Sequence, residues 1–439
     1  MMTLSLNLEL PQGVENIKPT NPTSSFLPVI TNNNEFDWNQ VAGLVMGHFL
    51  SVSTGKLTLD KLREKCKAVF SEKLADPEFW EVIEKMYFAG DALLQISPEF
   101  LLLNRTGKLD KADQRIANTF NSLLRKREEE RCLESSVNFI EKEIINVLRS
   151  EFRPNKQEHE LIAYLPFLAE TYSRDLEFLT TKPGMLLAEF RNFLELYGFL
   201  YCAQLALNVR EWRAGRPQPK SLYFILENEK ASQERTAVAN YGFKGFNNAA
   251  WHLFPMLSML EILLDAADIP RMTLWQLGQR METVQNDALA SQQLRGFATA
   301  FAKQRSLNCP RLDCKDAIEC LEVLMELSCK QFEPGQSRRQ ANERVVRDMK
   351  EKFGANFIQN RGRAGNVLVL NQDYIILLVN LAVGVQEKLR LHELIEEFKA
   401  RGIFLDKQSE QQLIGFLERI GNVERMSDSG DAVYVRKTI

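Results

Sequence analysis

A mainly α-helical protein, a multi-helix body followed by a C-terminal winged-helix domain, is the fold class this 439-residue sequence predicts. Three observations predict it. Apolar residues recur at helical spacing from about residue 36 to 330, in stretches such as SVNFIEKEIINVLRSEF and WHLFPMLSMLEILLDAAD. Residues 366–439 then carry three helical patterns in succession. The chain closes with NVERMSDSGDAVYVRKTI, in which two short alternating runs flank the turn-forming Ser427-Asp428-Ser429-Gly430-Asp431, the pattern of a β-hairpin.

In chain order, residues 1–35 contain PTNPTSSFLPVITNNN, without sustained periodicity, and are predicted as an extended arm. The clearest helix of the 36–330 body is ADPEFWEVIEKMYFAG: Asp76 suits the cap, Pro77 the first turn and Gly90 the end. Phe79, Ile83, Met86 and Tyr87 form its predicted apolar stripe. LYFIL, near 222–226, has the aromatic and β-branched character of a short strand, with a buried helical turn as the alternative. Residues 331–365 form a basic connector. Eight cations, Arg338, Arg339, Arg344, Arg347, Lys350, Lys352, Arg361 and Arg363, stand there against four carboxylates, and QNRGRAGN reads as a mobile stretch.

The winged-helix-like domain, 366–439, begins with VLVL (367–370) as a strand and Asn371 or Asp373 capping an apolar helix. Leu391, Leu394, Ile395 and Phe398 keep helical spacing in RLHELIEEFKARG, with Gly402 after the end. Ser409 and Gln412 have capping-box spacing before Leu413, Phe416, Leu417 and Ile420.

Composition excludes several function classes. Lysine plus arginine number 55 and aspartate plus glutamate 58, so any attraction to nucleic acid must be local. The longest apolar runs, YIILLVNLAVGV and LYGFLYCAQLAL, are shorter than a bilayer span, and the N-terminus lacks the pattern of a signal peptide. A cytoplasmic protein without a membrane partner is the expectation. Seven cysteines then fit reduced, buried thiols better than a disulfide framework. Cys320 and Cys329 fall on different faces of one helical pattern, so with Cys309 and Cys314 they do not suit a single metal ion.

Catalytic motifs are missing. STGKLTLD (53–60) and NRTGKLD (104–110) lack the first glycine and the hydroxyl of a phosphate loop. His48, His159, His252 and His392 are scattered. Glu227, Glu229 and Lys230 resemble the carboxylates and lysine of a metal-dependent nuclease only in part, since the run is Glu-Asn-Glu-Lys and no upstream aspartate strand is evident. No catalytic residue, metal or cofactor is predicted, with a metal-dependent DNA nuclease as the enzymatic alternative.

The candidate binding residues are Arg338, Arg339, Arg344, Arg347, Arg361 and Arg363 of the connector, with Arg425, Arg436 and Lys437 of the wing strands. Arginine pairs with phosphate through two hydrogen bonds. The third helix, however, carries Glu410 and Glu418 against Arg419, and the wing tip carries Asp428 and Asp431. Across 366–439, nine cations face eleven carboxylates, which favours protein docking over a winged-helix DNA-binding regulator.

The segments SLYFILENEKASQERT, AGNVLVLNQDYIILLVNLAVG and ERIGNVERMSDSGDAVYVRKTI resemble the G component (DptG, also called DndG) of bacterial DNA-phosphorothioation-dependent restriction systems. The resemblance implies a part in prokaryotic antiviral defence, where a three-protein module attacks DNA lacking a sulfur mark on its backbone. It implies the F and H components, which resemble P-loop ATPases, as partners. The chain would then be a non-enzymatic adaptor or scaffold, with double-stranded DNA as a further expected contact.

Overall fold

The computed structural model describes residues 9–438 except for 75, 77, 91, 105–109, 126–132, 134–136, 156–160, 233, 285–286, 309–313 and 427–431. The protein is mainly α, with sixteen α-helices and short strands among the described residues. The first five helices are α1 (Trp38–Phe49), α2 (Leu59–Lys73), α3 (Phe79–Tyr87), α4 (Lys111–Leu123) and α5 (Phe139–Ser150). Side chains of Asp37, Thr58, Asp110 and Asn138 accept first-turn N–H groups of α1, α2, α4 and α5, satisfying donors that have no intrahelical partner. Two-residue strands β1 (Val52–Ser53) and β2 (Arg153–Pro154) pair antiparallel nearby.

Helices α2, α3 and α5 enclose a small separate core around Leu62, Cys66, Phe70, Trp80, Ile83 and Leu148. The predicted stripe of α3 is corrected here. The helix buries Trp80, Ile83 and Tyr87 and turns Phe79 and Met86 outward, 42% and 58% exposed. It is apolar on two faces, and the face with the indole, which removes more area from water, is the one that packs.

Helices α6 (Pro166–Thr180) and α7 (Pro183–Arg210) both start on a proline, where a missing N–H costs nothing. Every residue of α7 from Phe193 to Ala206 is buried, so it is the axis of the main core. Strand β3 (Tyr223–Leu226) follows, then α8 (Thr236–Tyr241), α9 (Phe243–Ala266), α10 (Leu274–Thr283), α11 (Ala288–Gln304) and α12 (Ala317–Lys330), with α9 packed along α7. Residues 236–266 are long and apolar enough to cross a bilayer, a run the sequence reading did not single out, and are mostly buried within the protein. From residue 9 to 35 the only helical turn is the short Val14–Asn16, and Leu10, Ile17, Phe26, Leu27 and Val29 are buried in the main core.

The cysteine expectation is also corrected. Cys314, on the approach to α12, is disulfide-bonded to Cys320 in its first turn, their Cα atoms 5.2 Å apart. The helix-face argument compared Cys320 with Cys329 and not with a thiol on the preceding loop. Cys66 and Cys202 are buried thiols, and burial pushes Cys66 up to about 12. Cys309 lies outside the described residues.

After α13 (Arg339–Lys352), strands β4 (Ile358–Asn360) and β5 (Asn366–Leu370) pair antiparallel, so the stretch read as mobile is the turn of a hairpin, with the Arg361 N–H donating to Gly365 O at 2.8 Å. The chain ends with α14 (Gln372–Val383), β6 (Lys388–Arg390), α15 (Leu391–Ala400), β7 (Phe404–Leu405), α16 (Lys407–Arg419), β8 (Val423–Met426) and β9 (Ala432–Arg436). LYFIL is a strand, and a central one: β3 pairs parallel with β5 on one side and β7 on the other, in the order β4-β5-β3-β7. Its residues alternate between two apolar layers, Phe224 and Leu226 facing the main core while Ile225 packs with Val367, Val369 and Val238.

The turn from α15 to β7 requires glycine. Gly402 has φ of 81°, and a Cβ there would collide with the amide of Gln204. That amide donates to Lys220 O at 2.8 Å and Gly402 O at 3.2 Å, and accepts from Lys220 N–H at 2.8 Å. Gly402→Ala is expected to cost more than about 1–2 kcal/mol, the left-handed penalty alone, read as a fall in the urea midpoint. An unchanged midpoint would show that the turn relaxes.

Candidate partner and nucleic-acid interface

The C-terminal elements assemble a second, three-stranded sheet in the order β6-β9-β8, all antiparallel. Alternation along these strands separates two faces. Leu389 and Val435 point inward and are buried. Lys388, Arg390, Glu424, Tyr434 and Arg436 share the other face: Lys388 is opposite Arg436, and Tyr434 is opposite both Arg390 and Glu424. Lys388 Nζ lies 4.9 Å from the centre of the Tyr434 ring and Arg390 Cζ 5.9 Å from it. Glu424 Oε2 takes Lys388 Nζ at 3.1 Å and Arg436 Nη2 at 2.7 Å. The hydrogen bond from Lys388, with that from Arg436, holds the Glu424 carboxyl below its ordinary range. Three cations around one ring and one carboxylate form a small basic face, suited to a phosphate or an acidic protein surface.

Of the residues singled out from sequence, only Arg436 lies on this face. Arg425 pairs with Glu418 of α16 at 2.5 Å. Lys437 Nζ donates to the carbonyls of Gly384 and Gln386 at 3.4 and 3.3 Å. The connector arginines do not converge. Arg339 binds Glu343 at 2.6 Å and lies over the Trp251 ring, and Arg347 binds Asp348 at 2.9 Å. Arg338 reaches Pro19 O at 3.4 Å and Arg344 reaches Asn32 Oδ1 at 3.2 Å, both pinning the N-terminal arm. Arg361 donates to Glu227 O at 2.5 Å, and Arg363 is exposed on the β4–β5 turn. Asp428 and Asp431 lie outside the described residues. Sequence reasoning missed Lys388, Arg390 and Tyr434. The available signal was alternation in KLR and AVYVR, concealed because KLR runs directly into a helical pattern.

Of the residues of the nuclease alternative, Glu229 has other work in the fold. Glu229 is buried just past β3: its Oε1 accepts the Leu226 N–H at 2.8 Å and its Oε2 meets Arg235 Nη1 at 2.7 Å. Arg235 continues to Asp406, with Nε to Oδ2 at 2.8 Å and Nη2 to Oδ1 at 2.5 Å, and to Ser409 Oγ at 2.7 Å. Glu227 is exposed, as is Lys230. Asp406 caps α16 by accepting the Ser409 N–H at 3.0 Å. The helix therefore starts three residues before the capping box predicted at Ser409, which is buried and donates its hydroxyl to Phe224 O at 3.4 Å. The first turn of the third C-terminal helix is thus fastened to strand β3 of the body.

A second polar network ties α15 to the body. Arg401, immediately after α15, is fully buried, with Nη2 and Nε on Asp175 of α6 at 2.6 and 2.8 Å and Nη1 on Glu397 at 2.9 Å. The Tyr197 hydroxyl of α7 also donates to Asp175, at 2.6 Å.

Compared with known proteins, the chain matches no family model, and no curated protein matches it at a significant level.

Proposed function

We propose that this protein is a non-enzymatic subunit of a DNA-phosphorothioation-dependent restriction complex, an adaptor that holds the F and H ATPase components together and lays a basic face against their DNA. The observation that carries the reading is convergence. The three segments bearing the resemblance to DptG, the first of them well over a hundred residues before the other two, meet in one unit: the first supplies β3 and Arg235, the second β5 and α14, the third the end of α16 with β8 and β9.

In this reading residues 366–439 are a winged-helix unit. Its support is the succession of α14, β6, α15, α16, β8 and β9 and the sheet order β6-β9-β8. A DNA-reading winged helix offers the start of its third helix to the major groove. Here that start is clamped to the body through Asp406, which favours the adaptor over a sequence-specific regulator.

Co-expression with the F and H components, followed by purification through a tag on this chain at low salt, tests the proposal. Both partners should co-purify, and Lys388→Glu with Arg436→Glu should weaken retention of a short DNA duplex by the complex about ten-fold or more, since each cation removed lowers a salt-dependent affinity. Failure to retain either ATPase would end the adaptor reading. Plasmid cutting with Mg²⁺ or Mn²⁺ that is lost in Glu227→Ala would replace it with the nuclease.

A further inference from the structure

Arg235, Arg401 and Arg149 each pair with a carboxylate. One cluster does not. A cavity of about 270 Å³ opens between α4, the chain around Phe26 and the loop before α10, and it is lined by Lys111, Arg115 and Arg271 with no aspartate or glutamate among its described lining residues. Lys111 and Arg271 are exposed at its mouth, and Arg115 is half-buried within it.

Arg115 is fixed in place by neutral acceptors. Its Nε donates to Pro28 O at 2.9 Å, and its Nη2 donates to Asn33 O at 3.0 Å and Asn34 Oδ1 at 3.1 Å, so its charge is oriented without being neutralised. Burial pushes this guanidinium below its ordinary range, with Asp110 partly offsetting the effect. Arg271 is placed by stacking, its Cζ 5.2 Å from the centre of the Phe26 ring. Gln114 Nε2 donates to Asn118 Oδ1 at 2.8 Å, which leaves the Asn118 amide N–H₂ as a neutral donor in the lining.

Three like charges around one concavity repel one another, and the repulsion is relieved by an anion that accepts several hydrogen bonds at once. The volume lies just under the range of pockets for drug-sized ligands. We propose that this cavity binds a phosphate oxyanion, either free as inorganic phosphate or a small phosphate ester, or presented by a nucleic-acid backbone. The site lies apart from the basic face of the second sheet and does not depend on the adaptor reading.

The test is the thermal midpoint of the full chain in chloride buffer, titrated with inorganic phosphate and with pyrophosphate, because a ligand that binds only the folded state raises it saturably. A saturable rise is expected, with the apparent dissociation constant weakened ten-fold or more in Lys111→Ala and in Arg271→Ala, and binding lost in Arg271→Glu. Both side chains are at the surface, so their variants should fold, which circular dichroism verifies. Competition with a short fluorescent duplex separates the sources: displacement of the duplex by phosphate supports a backbone phosphate, and phosphate binding without duplex binding supports a free one. An equal rise with sodium chloride alone, no saturable rise, or an unchanged constant in Arg271→Glu would overturn the site. Co-purification of the ATPases should be unaltered in Arg271→Glu, so the two proposals fail separately.

Discussion

Arg401→Ala is expected to destabilise the protein by about 3–5 kcal/mol, the range for removing one partner from a buried ion pair. The guanidinium is wholly buried and uses its donors on the Asp175 carboxylate, the Glu397 side chain and the carbonyls of Glu397 and Leu381. With it gone, Asp175 keeps the Tyr197 hydroxyl but remains a charge enclosed by helices α6, α7 and α14 with no cation as close. Burial, with Asp175 beside it, drives the Tyr197 hydroxyl well above its ordinary value, so the phenol stays a neutral donor to Asp175, and it has no positive charge to put in place of the guanidinium. Glu397 suffers less because it also pairs with Arg174.

Urea unfolding of three variants measures this. Arg401→Ala and Asp175→Asn should each lose stability. Arg401→Met combined with Asp175→Leu should recover part of the loss, because a buried pair replaced as a unit by apolar groups is often near neutral. A loss below about 1 kcal/mol in Arg401→Ala, the range of exposed pairs, would show that solvent reaches the site. Hydrogen exchange gives the functional readout. In the intact protein, residues 391–419 should open only with the body, and in Arg401→Ala they should open at lower cost. The adaptor role proposed above requires that coupling.

The legible parts of this fold are those whose signals are local. Leu391, Leu394, Ile395 and Phe398 lie within two turns of one another, and the helix they predict is observed with three of them buried. Asn371 caps α14 by accepting the Tyr374 N–H at 2.9 Å. VLVL is part of β5. The assembly was not legible, because it depends on pairings across long separations. Strand β3 aligns Ile225 with Val369 and Tyr223 with Phe404, and β7, two residues between two helices, has no periodicity to detect.

The site divides along the same line. Arg436 could be read from a hairpin that is local in the chain. Lys388 and Arg390 join it only because β6 pairs with β9 across more than forty residues. The connector arginines were visible as a cluster in sequence, but a helix disperses consecutive cations around its axis, and α13 gives Arg339, Arg344 and Arg347 to Glu343, Asn32 and Asp348. Composition counts charge without regard to partners, whereas the cavity at Arg115 emerges only when partners are known.

Removing the Arg235 side chain should have the second large effect, because four acceptors, Glu229, Asp406, Ser409 and the Lys230 carbonyl, converge on it. Glu229 is 2% exposed at its side chain and Asp406 18%, so Arg235→Ala leaves one enclosed carboxylate and one at the margin, a loss of about 3 kcal/mol. Its pH dependence identifies the cause. Burial acts to raise the Asp406 carboxyl, but hydrogen bonds from Arg235 and the Ser409 N–H outweigh it and hold the group below its usual value. A carboxyl depressed in the folded state stabilises fully above its unfolded value, about 3.9, and the contribution disappears as pH falls through the lower folded value. The stability gap between the native protein and Asp406→Asn should therefore be constant near neutrality and close on acidification below about pH 4. A gap independent of pH would mean that Asp406 acts only as a neutral cap. Losing this clamp should also free the start of α16 from β3 and leave Gln408, Gln411 and Gln412, which are exposed already, on a mobile helix. If the fixed helix is what keeps the C-terminal unit from reading base sequence, Asp406→Asn should bind DNA no less tightly than the native chain while failing to retain the proposed ATPase partners, an opposition that simple unfolding would not produce.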